Sequence, residues 1–167
     1  MDQFETTCPS PIGPLTVVVD DRDHLVRIDF PDHPRAERGR QDRTRGAHVV
    51  RQLREYFAGE RTTFDVAVAL QGTPFQQRAW RALMTIPFGQ TVSYQEQARR
   101  LGNPAAMRAV GAANGRNCIP IVVPCHRVIG KDGSLTGFGG GLPIKQFLLE
   151  HERKVLATRG TVIAGRG

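Results

Sequence analysis

The chain has 167 residues, enough for one domain or for two small domains that share a core. It has no apolar run long enough to span a bilayer and no signal-peptide pattern at its start, so we expect a cytoplasmic protein with no membrane partner. The three cysteines, Cys8, Cys118 and Cys125, have no regular spacing. This disfavours a disulfide framework and fits a reducing compartment.

The positive charge of the chain is concentrated in one half. Residues 1–70 hold 10 basic and 12 acidic residues, whereas residues 71–167 hold 13 basic and 4 acidic residues. A one-sided basic domain indicates a polyanionic partner, and nucleic acid is favoured over a membrane because no long basic amphipathic helix is evident. The alternative is that this charge serves only solubility.

The first half of the chain has the pattern of a small sheet with one helix. Apolar and polar residues alternate over residues 4–30 well enough for two or three strands, and again from Phe64 to Leu70. Between them, residues 31–46 are polar and Arg-rich, which is typical of an exposed connector or, as an alternative, a second binding patch. Ala47 to Ala58 is predicted to be a helix. We expect an N-terminal α/β domain over residues 1–71.

The second half opens with strong helix-start sequences. Thr73-Pro74-Phe75-Gln76 combines an N-cap, a proline at the first helical position and a capping-box glutamine. Ser93-Tyr94-Gln95-Glu96 is a second capping box, which starts a short helix through Leu101. Asn103-Pro104 then caps a helix from Ala105 to about Asn114, and the pair has the spacing of a helix-turn-helix.

The second helix of this pair is unusually slim. Met107 and Val110 are spaced to pack inward, and the other side chains are small apart from Arg108. A slim helix with one arginine fits a nucleic-acid groove. Small residues also let two helices pack closely, which is the alternative explanation.

The residues most suggestive of chemistry follow an apolar run. Ile119 to Val123 is predicted to be a short buried strand that ends at Pro124. Cys125 and His126 then fall in a loop. A thiol beside an imidazole and a guanidinium is the kind of setting that lowers a cysteine pKa. The alternative is a small core cysteine followed by a surface basic pair.

A glycine-rich loop and a final helix complete the chain. Residues 136–141 form the loop, whose backbone can approach a ligand closely. The helix is predicted from Leu142 to Arg153. We expect a C-terminal domain over residues 72–157 and a flexible tail over residues 158–167.

These motifs together resemble the O6-alkylguanine-DNA alkyltransferases. The resemblance rests on Pro-Cys-His-Arg-Val after an apolar run, Asn117 eight positions before Cys125, Ser-Tyr-Gln and Arg-Ala-Val-Gly in the helix-turn-helix, and a glycine-rich loop before a helix that contains His-Glu. It covers residues 73–152 closely, and the Ser-Pro-Ile-Gly turn also looks like the family's N-terminal domain. It implies an α/β (α+β) fold with a ribonuclease H-like N-terminal domain and a winged-helix-like C-terminal domain.

The resemblance implies a single-turnover DNA repair reaction. Cys125 takes the position of the acceptor for the alkyl group of O6-alkylguanine, and of O4-alkylthymine. His126 matches the histidine that acts on the thiol through a bridging water, and Glu152 matches the acid that orients it. Asn117 corresponds to the residue that ties the active-site turn together. Tyr94 matches the tyrosine that donates to the base ring. No cofactor is expected.

The resemblance also implies how DNA is held. The nucleotide is flipped out of the duplex, Arg108 fills the vacated stack, and the helix lies in the minor groove of double-stranded DNA, with the protein a monomer. The other expected DNA contacts are Ala109, Gly111, Ser93 and Arg127. The expected pocket residues are Met107, Val128, Phe138, Gly139 and Gly140.

Three features depart from the family pattern. Cys118 stands where proline is usual, and we expect a small buried residue there, with an oxidisable thiol as the alternative. Phe138 replaces a tyrosine found in many relatives. His24, His33 and His48 lack metal-ligand spacing, so no structural zinc is expected.

Two functions of other classes remain open at this point. One is a DNA-damage sensor that flips the base without transfer, although the family members of that type replace the acceptor cysteine. The other is a hydrolase with a Cys-His-Glu triad, which has no need for a basic helix-turn-helix.

Overall fold

The structure, a computed structural model, describes residues 2–31, 33, 39–135, 138 and 140–166, with side chains described as far as Arg159. Its strands are β1 (Gln3–Cys8), β2 (Leu15–Asp20), β3 (Leu25–Asp29), β4 (Arg40–Gln41), β5 (Val92–Ser93) and β6 (Val128–Ile129). Its α-helices are α1 (Ala47–Phe57), α2 (Pro74–Leu83), α3 (Tyr94–Arg100), α4 (Met107–Gly115) and α5 (Leu142–Arg166). Short 3₁₀ turns cover Pro104–Ala106 and Cys125–Arg127.

The N-terminal half is a four-stranded sheet in the order β3-β2-β1-β4. The predicted strands within residues 4–30 are confirmed as the antiparallel β1, β2 and β3. The short β4, which lies parallel to β1, falls in the segment expected to be a loop. The predicted strand from Phe64 to Leu70 is wrong, because only an isolated bridge between Leu25 and Val68 forms there. The alternating pattern therefore indicated a half-buried segment, although Leu25 is the one residue of the described sheet that bridges to it.

The C-terminal half begins with the predicted capping box on α2. The Thr73 side chain accepts from the Gln76 backbone N–H, and the Gln76 side chain accepts from the Thr73 N–H, so both predicted caps are confirmed. Helices α3 and α4 form the helix-turn-helix. The Trp80 indole on α2 donates to the Ala113 carbonyl at 2.8 Å, which fixes α4 against α2. Strands β5 and β6 pair in parallel beside them. Helix α5 continues beyond Arg153, its predicted end.

The predicted strand from Ile119 to Val123 is wrong. This segment is a buried compact turn in which the Val123 N–H donates to the Ile119 carbonyl at 2.9 Å. Ile121 lies in the middle with a φ of 73°, a left-handed conformation that β-branched residues rarely adopt. Apolar composition predicted the burial of the segment correctly, but Pro120 within it and the hydrogen bonds of Asn117 favour a turn over an extended strand.

The two halves share one core and are joined by backbone hydrogen bonds. The Ile28 N–H on β3 donates to the Cys118 carbonyl at 2.9 Å, so the edge of the sheet lies against the turn that precedes Cys125. Buried side chains from both halves form a single hydrophobic cluster. The expected fold class is confirmed: a sheet-and-helix half followed by a mainly helical half with a helix-turn-helix. Within the described residues, we find no helix with the length and apolarity needed to cross a bilayer.

Candidate active site

Cys125 lies at the first position of a 3₁₀ turn and lines a cavity of about 350 Å³. Cys125 is 9 % exposed, so its thiol is mostly enclosed by protein but borders the cavity. The cavity wall comes from both halves of the chain: Phe30 from the segment after β3, Gly115 and Arg116 from the end of α4, and Phe138 and Gly140 from the loop before α5. The volume is within the range of small-molecule sites, roughly 300–1,000 Å³.

Asn117 holds the turn that presents Cys125. Its side-chain oxygen accepts from the Ile119 N–H at 2.9 Å, and its amide nitrogen donates to the Val123 carbonyl at 2.8 Å. One side chain therefore closes both ends of the buried turn. This geometry agrees with the expectation that Asn117 ties the active-site turn together.

Glu152 on α5 is buried and receives five hydrogen bonds. His126 Nε2 lies 2.6 Å from Glu152 Oε2, and the Tyr56 hydroxyl donates to the same oxygen at 2.7 Å. The Gly89 N–H donates to Oε1 at 2.9 Å. The Arg127 guanidinium donates to both oxygens, at 2.9 and 3.1 Å. The structure thus brings the predicted pair of His126 and Glu152 together inside a larger buried network.

The protonation states of this network follow from its hydrogen bonds. Burial alone raises the pKa of Glu152, but the hydrogen bonds from His126 and Arg127, together with the Arg127 charge, outweigh burial and hold this pKa well below its usual value. Because ionised Glu152 has no proton to donate, His126 Nε2 must carry one. Burial lowers the pKa of His126, opposed by Glu152, so the imidazole favours its neutral form.

His126 Nδ1 is then the free acceptor of the neutral ring. Among the described residues, it is the buried side-chain nitrogen or oxygen that has no hydrogen-bond partner. A buried lone pair without a partner is costly in a structural histidine, so it indicates a functional one. The ring has the tautomer needed to accept a proton on the Nδ1 side.

The electrostatics of the thiol differ from the sequence expectation. Burial raises the pKa of Cys125, and the Asn117 hydrogen bond and the charge of Lys145 oppose this only in part. The expected lowering of the Cys125 pKa by its neighbours is wrong, because the His126 ring is neutral and the Arg127 charge is committed to Glu152. Cys125 is therefore a protonated thiol in the resting protein and needs a base to become a nucleophile.

Three further residues belong to the site but were missed in the sequence. Lys145 on α5 is buried, donates to the Val128 carbonyl at 2.6 Å and has its nitrogen 5.8 Å from the centre of the Tyr94 ring. Tyr56 and Gly89 bind Glu152. Lys145 and Tyr56 occupy apolar faces of their helices, and a polar residue at a core position was the one sequence feature that pointed to them.

Four of the five expected DNA-contacting residues lie on the helix-turn-helix. Arg108 and Ala109 are exposed at the start of α4. Gly111 faces the Tyr94 ring, and a β-carbon there would lie 3.9 Å from Tyr94 Cε1. The Ser93 hydroxyl caps α3 by accepting from the Glu96 N–H at 3.0 Å. The surface around Tyr94 is therefore a slim helix face beside an aromatic ring.

Three expectations about single residues are wrong. Arg127 was expected to contact DNA, but it is 6 % exposed and its guanidinium binds Glu152 and the Ile86 carbonyl. Met107 was expected to pack inward and line the pocket, but it is 45 % exposed and does not line the cavity. Cys118 was expected to be buried, but it is exposed at the cavity wall, where its backbone carbonyl accepts from the Ile28 N–H of the sheet edge.

Of the other residues expected to line the pocket, two do so and one does not. Phe138 and Gly140 line the cavity, and Phe30 packs against Phe138 with ring centres 5.8 Å apart. A β-carbon on Gly140 would lie 2.7 Å from the Phe30 ring, so the close approach of these segments requires glycine. Val128 does not line the cavity, because it is fully buried and pairs with Val92. Gly139 lies outside the described residues. In the described part of the chain, no group of three or more His, Cys, Asp or Glu side chains is placed to hold a metal ion.

Comparison with known proteins gives the same assignment for both halves. The family model described as "6-O-methylguanine DNA methyltransferase, ribonuclease-like domain" matches residues 4–70, and the one described as "6-O-methylguanine DNA methyltransferase, DNA binding domain" matches residues 74–154. A relative from Mycolicibacterium paratuberculosis, named methylated-DNA–protein-cysteine methyltransferase, is 51% identical and covers 89% of this chain and 91% of its own. A constitutive methyltransferase of the same name from Bacillus subtilis is 44% identical, covering 90% and 95%.

The fold is also similar to that of solved structures. The crystal structure of Mycobacterium tuberculosis OGT in complex with DNA superposes with a TM-score of 0.86 at 48% identity, covering 93% of this chain and 94% of that one. An O6-methylguanine-DNA methyltransferase from the archaeon Pyrococcus kodakaraensis, 22% identical with a TM-score of 0.55, shares the fold. With both halves matched by family models and close relatives aligned over most of its length, the chain belongs to the methylated-DNA–protein-cysteine methyltransferase family.

Proposed function

We propose that this protein repairs alkylated DNA by moving the alkyl group of O6-alkylguanine, and of O4-alkylthymine, onto Cys125 in a single turnover. The observation that carries the proposal is the position of the Cys125 thiol at a cavity of about 350 Å³, next in sequence to a buried imidazole with a free Nδ1. Family membership supports the reaction type. The presence of an acceptor cysteine at the cavity argues against a sensor that flips the base without transfer.

Activation of the thiol begins at His126. Glu152 holds the proton on Nε2, so Nδ1 accepts the Cys125 proton through a bridging water. The thiolate sulfur then attacks the alkyl carbon, a sulfur–carbon bond forms, and the carbon–O6 bond breaks with its electron pair passing to the guanine. Tyr94 donates a proton to the departing base, which becomes neutral guanine, and the proton that His126 took from Cys125 then returns to Tyr94 through solvent. The thioether has no good leaving group, so the protein is consumed.

Delivery of the base uses the basic half of the chain. A base inside a duplex is out of reach of an enclosed thiol, so the nucleotide is flipped into the cavity and Arg108 fills the vacated stack. The slim exposed start of α4, including Ala109, supports placement in the minor groove, where phosphate contacts supply affinity without sequence readout. Ser93 and Gly111 flank this surface.

The state of the cysteines supports an inference about the cellular compartment. All three cysteines, Cys8, Cys118 and Cys125, are free, which fits a reducing, cytoplasmic compartment and preserves the acceptor thiol. The protein is a monomer in solution in this proposal, and residues of one chain line the cavity beside Cys125. Residues 1–71 and 72–157 act as the supporting domain and the DNA-binding and acceptor domain, respectively.

Intact-mass spectrometry tests this function directly. After incubation with duplex DNA that contains O6-methylguanine, the protein is expected to gain the mass of one methyl in place of a hydrogen, saturating at one equivalent, with peptide mapping to Cys125. Cys125→Ser should gain nothing, and Cys118→Ser, which changes the other thiol at the cavity, should behave like the wild type. Methyl transfer that persists in Cys125→Ser would refute the assignment.

A further inference from the structure

We infer, as an extension of the proposed function, that Tyr56 in the N-terminal half is a positioning residue for alkyl transfer, whose hydroxyl sets the strength of the Glu152–His126 hydrogen bond. Through that bond, Tyr56 sets the basicity of the imidazole that activates Cys125. The sheet-bearing half of the chain therefore contributes to the chemistry as well as to the fold.

The contact is direct and fully enclosed. Tyr56 is 0 % exposed, and its hydroxyl oxygen lies 2.7 Å from Glu152 Oε2. The same carboxylate oxygen lies 2.6 Å from His126 Nε2. With the longer bond from Arg127 at 3.1 Å, three donors share this acceptor oxygen in a site without bulk water, where each hydrogen bond reduces the negative charge available to the others.

The hydroxyl is held in place by aromatic packing. The Tyr56 ring has its centre 5.1 Å from Phe57, 5.6 Å from Phe64 and 5.9 Å from Phe88. The backbone carbonyl of Tyr56 is bound by His151 Nε2 at 2.8 Å, which ties the end of α1 to α5 one residue before Glu152. Because both the ring and the backbone of Tyr56 are held, its hydroxyl cannot move away from Glu152 without disturbing the packing between α1 and α5.

Tyr56 also remains a donor at all ordinary pH values. Burial, together with the negative charge of Glu152 and their hydrogen bond, raises the pKa of Tyr56 well above its usual value. Since Glu152 is ionised, the proton in this hydrogen bond stays on the tyrosine. The Tyr56 hydroxyl therefore donates to Glu152 at every ordinary pH, and Tyr56 does not titrate alongside His126.

The other charged and titratable groups around His126 do not depend on this hydroxyl. Arg127 binds Glu152 through its own two contacts, and Lys145 acts on His126 from α5. Cys125 precedes His126, and His151 contacts the Tyr56 backbone. Removing the hydroxyl alone leaves these four groups in place, so any change in His126 titration reports on the Tyr56–Glu152 hydrogen bond.

The direction of the effect follows from the shared oxygen. Without the tyrosine donor, Glu152 Oε2 carries more negative charge toward His126 and stabilises the protonated imidazole. Proton loss from His126 then requires a higher pH, and the acid limb of the transfer rate moves to higher pH. Part of the strength of this charge-assisted hydrogen bond is transmitted to His126, which gives an expected shift of about half a pH unit.

Tyr56→Phe is the test, because it removes one oxygen and keeps the ring. We expect the acid limb of single-turnover methyl transfer, and the His126 titration followed by imidazole ¹⁵N NMR, to move up together by about half a pH unit. Val49→Ala is the matched control, since it removes buried volume from α1 about two turns before Tyr56 and leaves the aromatic contacts of the Tyr56 ring in place. The control should lower stability and leave both titrations unchanged.

Substitution of Tyr56 by 3-fluorotyrosine at that site tests the same claim in the opposite direction. Its more acidic hydroxyl is a stronger donor, so both titrations should move to lower pH, even if Tyr56→Phe fails to fold. Titrations that superimpose on the wild type in the fluorotyrosine protein, or in folded Tyr56→Phe, would overturn the inference. Failure of the wild type to transfer methyl would instead refute the proposed function, and the NMR titration would still decide the role of Tyr56.

Discussion

Glu152 is the residue on which the chemistry and the stability of the site both depend. Its carboxylate is 1 % exposed and compensates the buried Arg127 guanidinium while fixing the His126 tautomer. A buried charge left without its partner is strongly destabilising, whereas the intact pair adds little over an apolar replacement. The main effect of the network is therefore to orient the His126 imidazole, and it adds little net stability to the fold.

Glu152→Gln is expected to abolish measurable methyl transfer and to lower the free energy of unfolding by about 3–5 kcal/mol. The amide keeps the size of the side chain but removes the charge that pairs with Arg127 and holds the proton on His126 Nε2. Chemical denaturation and intact-mass assays measure the two effects. Glu150→Gln is the control, because Glu150 lies on the same helix, where its carboxylate accepts a hydrogen bond from the exposed Gln146. Full transfer by Glu152→Gln would contradict the assigned tautomer.

At the scale of single residues, the family resemblance predicted that Cys125, His126 and Glu152 share one site, but not what surrounds them. The structure places His126 against Glu152, and the roles of the three residues in transfer stay proposals. The burial of Arg127 was missed, since an arginine next to a catalytic pair looks like a DNA contact until its acidic partner, 25 positions away, is placed beside it. Lys145 and Tyr56 were missed for the same reason, because their functional partners are distant in sequence.

At the scale of elements, the turn around Asn117 shows where pattern reasoning stops. Helices with caps were located well, because a cap is a local interaction between residues three positions apart. The segment from Ile119 to Val123 was not, since apolar β-branched residues indicate burial whether the backbone is extended or turned. Its shape depends on the two Asn117 hydrogen bonds and on Ile121 at a φ of 73°, which no periodicity reveals.

Asn117→Ala is expected to destabilise this turn and displace the thiol. It leaves the buried Ile119 N–H without its partner, at a cost of about 1–3 kcal/mol, while the Val123 carbonyl loses one of its two donors and keeps the Cys125 N–H. We expect a lower denaturant midpoint and methyl transfer slowed by at least about tenfold. Asn103→Ala is the control, since Asn103 is exposed and its side chain makes no capping hydrogen bond. Equal rates in the two variants would show that the turn holds its shape without Asn117.

At the scale of the whole molecule, the sheet half and the helical half meet at the cavity. The Ile28–Cys118 backbone hydrogen bond and the Phe30–Phe138 contact bring the sheet edge to the acceptor turn, and Tyr56 brings α1 to Glu152. The sequence predicted the two halves and the charge contrast between them. It did not predict these contacts between the two halves, because they follow no local sequence periodicity. They depend on how the folded surfaces of the two halves pack together.

The charge contrast and the slim helix lead to a prediction about DNA. Because Arg108 is proposed to fill the stack left by the flipped base, its loss should matter only when there is a stack to fill. Arg108→Ala is expected to slow methyl transfer from duplex DNA by roughly tenfold or more, since unstacking a base costs a few kcal/mol, while transfer from the free O6-methylguanine base stays unchanged. Single-turnover rates on both substrates measure this. Arg51→Ala, which removes an exposed arginine from α1 in the half with no excess positive charge, should affect neither rate. An equal loss on duplex and free base would show that Arg108 acts on the cavity and not on the stack.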